Sequence, residues 1–460
     1  MKAKWSAVTA DRRQAVQRFA SSTNLSSRGL PDAPLVERLG RRNLNIRPNT
    51  NVSGIRAKRL FVLPNGHMAV ATNMTQVDED YRVFNLNSGG WLGEDLRVVG
   101  AFTTAELILN REGGLFANNP NEDTRHKGRV LASSIGEEKL VTYDRALHSM
   151  PTFFPKNFLV NHNGRIVGAN WFSNRVLFYE PGRWTWDFSL PGMPNITRVG
   201  GETPACRGLV SYRGSLIYFS ANAMYEILGD HASNMRVNVI CDDVGCLSAY
   251  SIAIVNGSLI WLGREGIYEW NGGVRPRLIC EDVSEHVCNL QLFGLYDMPQ
   301  AISHGNYYYM SIVPFWQAHE DRAVVLIYDT VNRIWHIERY PNHPPVSWAK
   351  REGILYSVDR RGNLWEMSSR NSNEVFDWDW ELDLESGTKR IKMDLEAEDE
   401  ASLRGAIEIG GTWHHVHRAE NQWLLPFDRI ALRRTKFRLT GRGKVKIHGC
   451  DVVIGNNGGW

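Results

Sequence analysis

The chain has no run of about 18 apolar residues, the length a helix needs to cross a bilayer, so no membrane span is expected. Met1-Lys2-Ala3-Lys4-Trp5 lacks the apolar stretch of a secretory leader, so synthesis in the cytoplasm is the expectation. Cysteine is scarce. The six thiols, Cys206, Cys241, Cys246, Cys280, Cys288 and Cys450, are unevenly spaced, which argues against a secreted disulfide framework. Cys241 with Cys246 and Cys280 with Cys288 are spaced more loosely than zinc knuckles and fall in different parts of the chain, so buried thiols are expected rather than a metal site. The acidic runs Asp78-Glu79-Asp80 and Glu396 to Glu400 lack calcium-loop spacing. Neither a phosphate-binding glycine loop nor a nucleophile elbow is present. No catalytic, cofactor-binding or metal-ligating residue is assigned, and the chain is expected not to be an enzyme.

Glycine and aromatic residues, by contrast, are plentiful and ordered. A glycine turn followed by a short apolar strand recurs seven times, at Gly66, Gly114, Gly164, Gly214, Gly257, Gly305 and Gly353. Successive copies lie 43 to 50 residues apart. A period of about 40–50 residues holding several short strands is the signature of a β-propeller. Most repeats carry a second mark, an aromatic followed by an acid: Tyr143-Asp144, Tyr179-Glu180, Tyr225-Glu226, Tyr268-Glu269, Tyr328-Asp329 and Trp365-Glu366, with Phe84-Asn85 as the divergent first copy. The aromatic is expected to pack between blades and the polar residue to begin the turn to the outer strand. Polar inserts at Asn118 to Lys127 and Pro314 to Arg322 belong on loops.

The net charge of +3 hides a segregation. Residues 1–59 hold 13 Lys and Arg against 3 Asp and Glu; residues 60–385 hold 27 against 38; residues 386–460 hold 13 against 9. A basic arm on an acidic ring speaks of partners rather than of fold. An acidic ring does not hold nucleic acid tightly, because phosphates need cations, but an acidic bore lets DNA slide. Within the arm, residues 9–20 suit a short helix capped by Thr9 or Asp11, with Ala15, Val16 and Phe19 at helical spacing. Residues 21–53 show no sustained period and read as an extended arm ordered on assembly.

Beyond the ring, Phe376 to Leu384 alternates apolar with acidic residues, as an exposed or edge strand with one buried face does. Phe437 to Gly449 reads as a hairpin with a glycine-containing turn. The expected class is therefore all-β: a propeller of about seven blades at 54–385, an extended basic N-terminal arm at 1–53, and a small C-terminal β-sandwich at 386–460. In Trp413-His414-His415-Val416-His417 the alternation puts His415 and His417 on one face, but no third ligand is implied. Ser357 to Trp365 approaches the Asp-box turn of sialidase-type propellers with one residue more before the glycine.

Three stretches together resemble a family of bacteriophage virion proteins, the propeller proteins at the neck and tail hub of short-tailed phages (packaged-DNA stabilisation or tail nozzle type). They are Arg213 to Ser220 with Asn222 to Glu226, the sister repeat Trp261 to Gly272, and the exit from the ring through Trp378, Trp380, Lys389-Arg390 and Arg438 to Gly449. The likeness covers about residues 55–454 and leaves the arm unmatched. It implies a ring of six copies below the phage portal and adaptor, continuing the DNA channel, retaining the packaged genome and passing double-stranded DNA at ejection without specific binding. On that reading the protein resides in the virion, and Arg12, Arg13, Arg18, Arg41 and Arg42 latch onto the adaptor or an adjacent subunit. The alternatives are a peripheral, receptor-binding tail component, a propeller glycosidase whose carboxylates converge from different blades, and a cellular interaction scaffold.

Overall fold

The structure is a computed structural model describing residues 2–3, 19–26, 35–37, 40–44, 55–62, 68–74, 79–85, 90–98, 101–107, 130–135, 139–143, 147–151, 158–163, 165–169, 176–179, 186–190, 206–229, 234–287, 299–314, 323–340, 343–369, 377–384, 388–419, 422–425 and 435–454. Among the described residues the short hydrophobic strands pair into seven antiparallel blades of four strands, six of them separate sheets and the sixth in chain order the end of a fifteen-stranded sheet that continues into the C-terminal strands. Their first strands are Ile55–Val62, Ala101–Leu107, Phe158–His162, Gly208–Tyr212, Ala253–Val255, Gln300–His304 and Pro345–Arg351, and these define blades 1 to 7 in chain order. First strands of neighbouring blades pack beside one another except between blades 4 and 5, where the short helical turn Ala249–Ser251 packs on the first strand of blade 4; the seventh lies against the first, so the ring is closed. Leu60 N–H of blade 1 donates to Ser347 Oγ of blade 7 across that closure. The fold is a seven-bladed β-propeller carrying a C-terminal module.

The repeat signals fall where blade geometry needs them. Arg213-Gly214, Asn256-Gly257 and Glu352-Gly353 join first to second strands with φ values of 49° and 84°, 47° and 76°, and 50° and 78°. Positive φ at both central residues is what a type I′ turn requires, and its twist matches the flanking strands. In blade 6 the glycine moves to the first central position, Gly305 at φ 57° before Asn306. In blade 2 the second strand is Val130–Ile135, so the Gly113-Gly114-Leu115-Phe116 signal lies outside the described residues, as do the inserts at 118–127 and 315–322.

All seven aromatic positions lie on third strands. Tyr225, Tyr268, Tyr328 and Trp365 are buried, and each joins an apolar cluster containing residues of the preceding blade. The acids that follow them need a correction. Asp329 does begin a turn: its Oδ1 accepts from the backbone N–H of Val331 and Asn332 at 2.9 and 3.0 Å. Glu226, Glu269 and Glu366 remain inside their strands and reach their register partners on the outer strand, Asn238, Arg277 and Arg42. A third strand long enough to continue past the aromatic turns the acid outward, opposite a cation or an amide.

The C-terminal module starts earlier than expected. Asp377–Leu384 belongs to it, not to the ring, and is a central rather than an edge strand, flanked by Phe19–Thr23 and Thr435–Arg442. One run of paired strands contains Asp377–Leu384, Thr435–Arg442 and Arg404–Ile409; the other contains Thr388–Ala397, Val445–Ile454 and Gln422–Leu424. Thr412–Ala419 pairs with both. Their inward residues share one core, including Trp378, Trp380, Leu382, Ile391, Met393, Ile407, Trp423, Phe437, Leu439 and Ile447. The predicted 437–449 hairpin is instead an arch: its two strands pair with different partners, and the turn at Gly443, φ 80°, carries the chain from one run to the other.

Candidate functional site

Apart from Lys2–Ala3, the described parts of the basic arm run from residue 19 to residue 44, and that segment is built into the molecule. Phe19–Thr23 is a strand, so the predicted helix is wrong at Phe19 and Ala20; its remaining residues from 9 to 18 lie outside the described residues. The strand pairs antiparallel with Asp379 to Leu382, and Thr23 pairs in parallel with Ile337 of blade 6. Backbone pairing on both edges outweighs a helical spacing that spans fewer than four turns. Leu35–Glu37 pairs with Lys446 and Ile447 at the edge of the module. Gly40–Asn43 then supplies the fourth strand of blade 7, against Trp365, Glu366 and Ser369. The ring therefore takes residues 40–43 from what reads in sequence as the arm.

This placement decides two of the five arginines. Arg41 is 7% exposed. Its guanidinium lies 4.0 Å from the ring centroid of Trp365 and 4.4 Å from that of Tyr340, and it donates to the carbonyl of His343. A delocalised planar cation between two aromatic faces suits the weak hydration of guanidinium. His343 Nδ1 lies 2.8 Å from Asp359 Oδ2. Burial alone would raise the Asp359 carboxyl, but hydrogen bonds from His343, Asn363 and Trp365 hold it below its ordinary value. Asp359 Oδ1 also accepts from the N–H groups of Arg361 and Asn363, so the Asp-box-like segment is a structural turn. Arg42 pairs with Glu366. Arg41 and Arg42 are thus engaged within their own chain and not on an open arm. Arg12, Arg13 and Arg18 lie outside the described residues.

The seven first strands, which line the ring's centre, carry one carboxylate, Glu106, and five cations, Arg56, Lys58, Arg59, Lys350 and Arg351. Exposed acids sit instead on connectors between blades and strands: Asp242, Asp243, Glu265, Glu281, Asp282 and Glu285. The first-strand turns make bonds between blades. Arg213 donates to the carbonyls of Gly257 and Asn271 in blade 5 at 2.9 and 2.7 Å, Tyr212 Oη donates to Gly257 at 2.6 Å, and Asn256 Nδ2 donates to Thr330 Oγ1 at 2.6 Å.

The other sequence candidates stand apart from this seam. Cys206, Cys241, Cys246, Cys280 and Cys450 are buried free thiols, and Cys288 lies outside the described residues. Burial pushes Cys246 up to about 12, away from thiolate chemistry. His414, His415 and His417 are exposed on Thr412–Ala419, and Trp413 stacks under Arg438 at 4.1 Å. Among the described residues no group of three or more His, Cys, Asp or Glu side chains is placed to hold a metal, and no helix is long and apolar enough to cross a membrane. Sequence reasoning missed Asn24 and Arg41 as structural centres. The one available signal was an isolated Leu-Val-Glu and Gly-Arg-Arg-Asn pair of short segments, too brief for a period to show.

No family model matches the chain, and no curated protein matches it. Among solved structures it is similar to the extracellular domain of a one-component system from B. thetaiotaomicron, with TM-score 0.45 and 9% identity over 86% of this chain and 56% of that one. The match thus spans little more than half of that protein's length. It is also similar to the β-propeller domain of Cps50 (Swd1) from Myceliophteria thermophila, with TM-score 0.44 and 12% identity over 69% of this chain and 98% of that one. BamB from Moraxella catarrhalis gives TM-score 0.39 and 9% identity over 78% and 100%. The ring assignment itself comes from the seven sheets among the described residues.

Proposed function

We propose that this protein is a structural component of a short-tailed phage virion. In this reading it assembles as a ring of copies at the neck or tail nozzle, contacts adaptor, portal and tail proteins, and lets double-stranded DNA pass. The sequence likeness through Arg213 to Glu226, Trp261 to Gly272 and Arg438 to Gly449 supports it. The observation that carries it is mechanical. One N-terminal segment runs as strands against blade 6, the C-terminal module and blade 7, so backbone hydrogen bonds cross-tie the parts that a pressurised channel would pull apart. Blades 3 to 7 also pack on one another through buried aromatics, which suits a rigid wall better than a surface that must open and close.

The charge distribution refines the role. Exposed carboxylates at Asp242, Asp243, Glu265, Glu281, Asp282 and Glu285 sit on connectors between blades and strands, and in this reading those connectors face the channel that the copies share. Carboxylates there repel a phosphate backbone and keep it mobile. In this proposal the protein is a conduit, not a catalyst. The deciding experiment is electron microscopy of phage from the source culture, labelled with antibody against residues 435–454. Label at the head–tail junction or along the tail is the expected result. Label confined to the tail tip would favour receptor binding, and virions without label would end the assignment.

A further inference from the structure

We infer that residues 19–44 act as one strap, so that closure of the propeller ring and seating of the C-terminal module are a single event. The strap has three anchors. At the first, Asn24 sits between ring and module with φ 59°. Its N–H donates to the carbonyl of Ile337 in blade 6 at 2.7 Å, its Nδ2 donates to the carbonyl of Asp377 in the module at 2.7 Å, and its Oδ1 accepts from Arg339 N–H at 3.2 Å. Asparagine tolerates the left-handed region better than other side-chain-bearing residues, so one residue both turns the strand and bonds both bodies. At the second anchor, Leu35 and Val36 pair with Ile447 and Lys446 on the module's edge, while Val36 and Glu37 also pair back to Ser26 and Leu25. At the third, Gly40–Asn43 completes blade 7, Arg41 is clamped between Trp365 and Tyr340, and Leu44 N–H donates to Leu364 at 3.0 Å.

No anchor is strong alone, since each strand has two to five residues. Their spacing makes them cooperate. Thr23 and Leu25 flank Asn24 directly, and only residues 37–39 separate Val36 from Gly40. Four steps of extended chain reach about 14 Å at most, so neither neighbour can move far while the other holds. Docking one anchor keeps the next at high effective concentration, and releasing one lowers it for the others. The pairing partners are themselves distant in sequence, from Ile337 to Ile447, so the strap joins the last two blades to the module without passing through the rest of the ring. This coupling does not depend on the virion reading.

Native-state hydrogen exchange of the full chain tests it. Two variants perturb opposite ends: Asn24→Gly keeps the backbone turn and deletes the side-chain bonds, and Arg41→Lys keeps the charge and loses the planar stack. The amides to follow are Trp380 to Leu382 in the module and Trp365 to Ser369 in blade 7, with Leu216 to Phe219 of blade 4 as the reference. Each variant should speed exchange at both sites by a similar factor, about tenfold for loss of the Asn24 bonds, and leave blade 4 unchanged. Acceleration confined to the mutated end would overturn the coupling, as would no acceleration at either end. Should Asn24→Gly fail to fold, Arg41→Lys alone decides, by whether the module amides follow those of blade 7.

Discussion

Arg41 and Arg42 are adjacent and identical in type, yet the strand sends them to opposite sides. Arg41 is buried between two rings, whereas Arg42 has a side chain 52% exposed beside Glu366. Truncating Arg41 removes a desolvated cation–π sandwich and a charged hydrogen bond, about 2–3 kcal/mol. Truncating Arg42 removes a surface ion pair of at most about 1 kcal/mol. Urea unfolding of Arg41→Ala and Arg42→Ala should show that order; equal losses would mean the aromatic clamp contributes nothing special. Burial lowers the imidazoles of His162, His286, His304 and His336, and His336 is shifted furthest. Burial drives its imidazole down to about 4, only partly offset by the neighbouring Asp329 carboxylate. The folded state thus binds its proton less readily than the unfolded chain. Stability is full above about pH 6.5 and falls as pH drops from there toward 4, by about 3 kcal/mol over that window. In His336→Gln the loss between those pH values should be much shallower, measured as the urea midpoint against pH.

At the scale of the element, period and position were legible to different degrees. The glycine turns and third-strand aromatics were readable because each blade repeats one solution to one packing problem, and Tyr225, Tyr268, Tyr328 and Trp365 all meet the preceding blade. The alternation of Asp377–Leu384 correctly showed a buried face. It was silent on neighbours, because pleating sets which side chains point inward and says nothing about what pairs at either edge. The glycines of the module were not legible either, since their role lies in a partner distant in sequence. A Cβ at Gly441 would meet Trp378 Cζ2 at 2.4 Å, and one at Gly405 would meet Trp423 Cδ1 at 2.1 Å. Gly441→Ala and Gly405→Ala should each cost about 1–3 kcal/mol by overpacking. Near-ultraviolet circular dichroism should report displaced tryptophans, and unchanged spectra with unchanged stability would contradict the close packing.

At the scale of the whole molecule, the arm and the ring are not separable in the way the charge segregation suggests. An arm that serves only as a latch can be removed without harm to the propeller. With Gly40–Asn43 in blade 7 and Phe19–Thr23 between blade 6 and the module, deleting residues 2–47 should leave an open blade and an unseated module. The thermal midpoint should then fall by many degrees, and the chain should become more sensitive to protease. A shorter deletion, of residues 4–18, spares those strands and should leave the midpoint close to that of the full chain. If the longer deletion melts like the full chain, the closing strand is dispensable.

Local repetition is what the amino-acid sequence determined by itself. Turn glycines, third-strand aromatics and alternating faces act over a few residues, and they were enough to specify an all-β ring of about seven blades with further strands behind it. Tertiary structure alone decided how the ring closes, that Arg41 is buried while Arg42 is not, that the first strands carry cations rather than carboxylates, and that the 437–449 turn is an arch. Ring closure and the burial of Arg41 depend on pairings between residues hundreds of positions apart, such as Asn43 with Trp365, and the arch depends on pairings about sixty apart, such as Trp378 with Gly441. Short strands carry too little pattern to name a distant partner; only the geometry of the closed ring selects it.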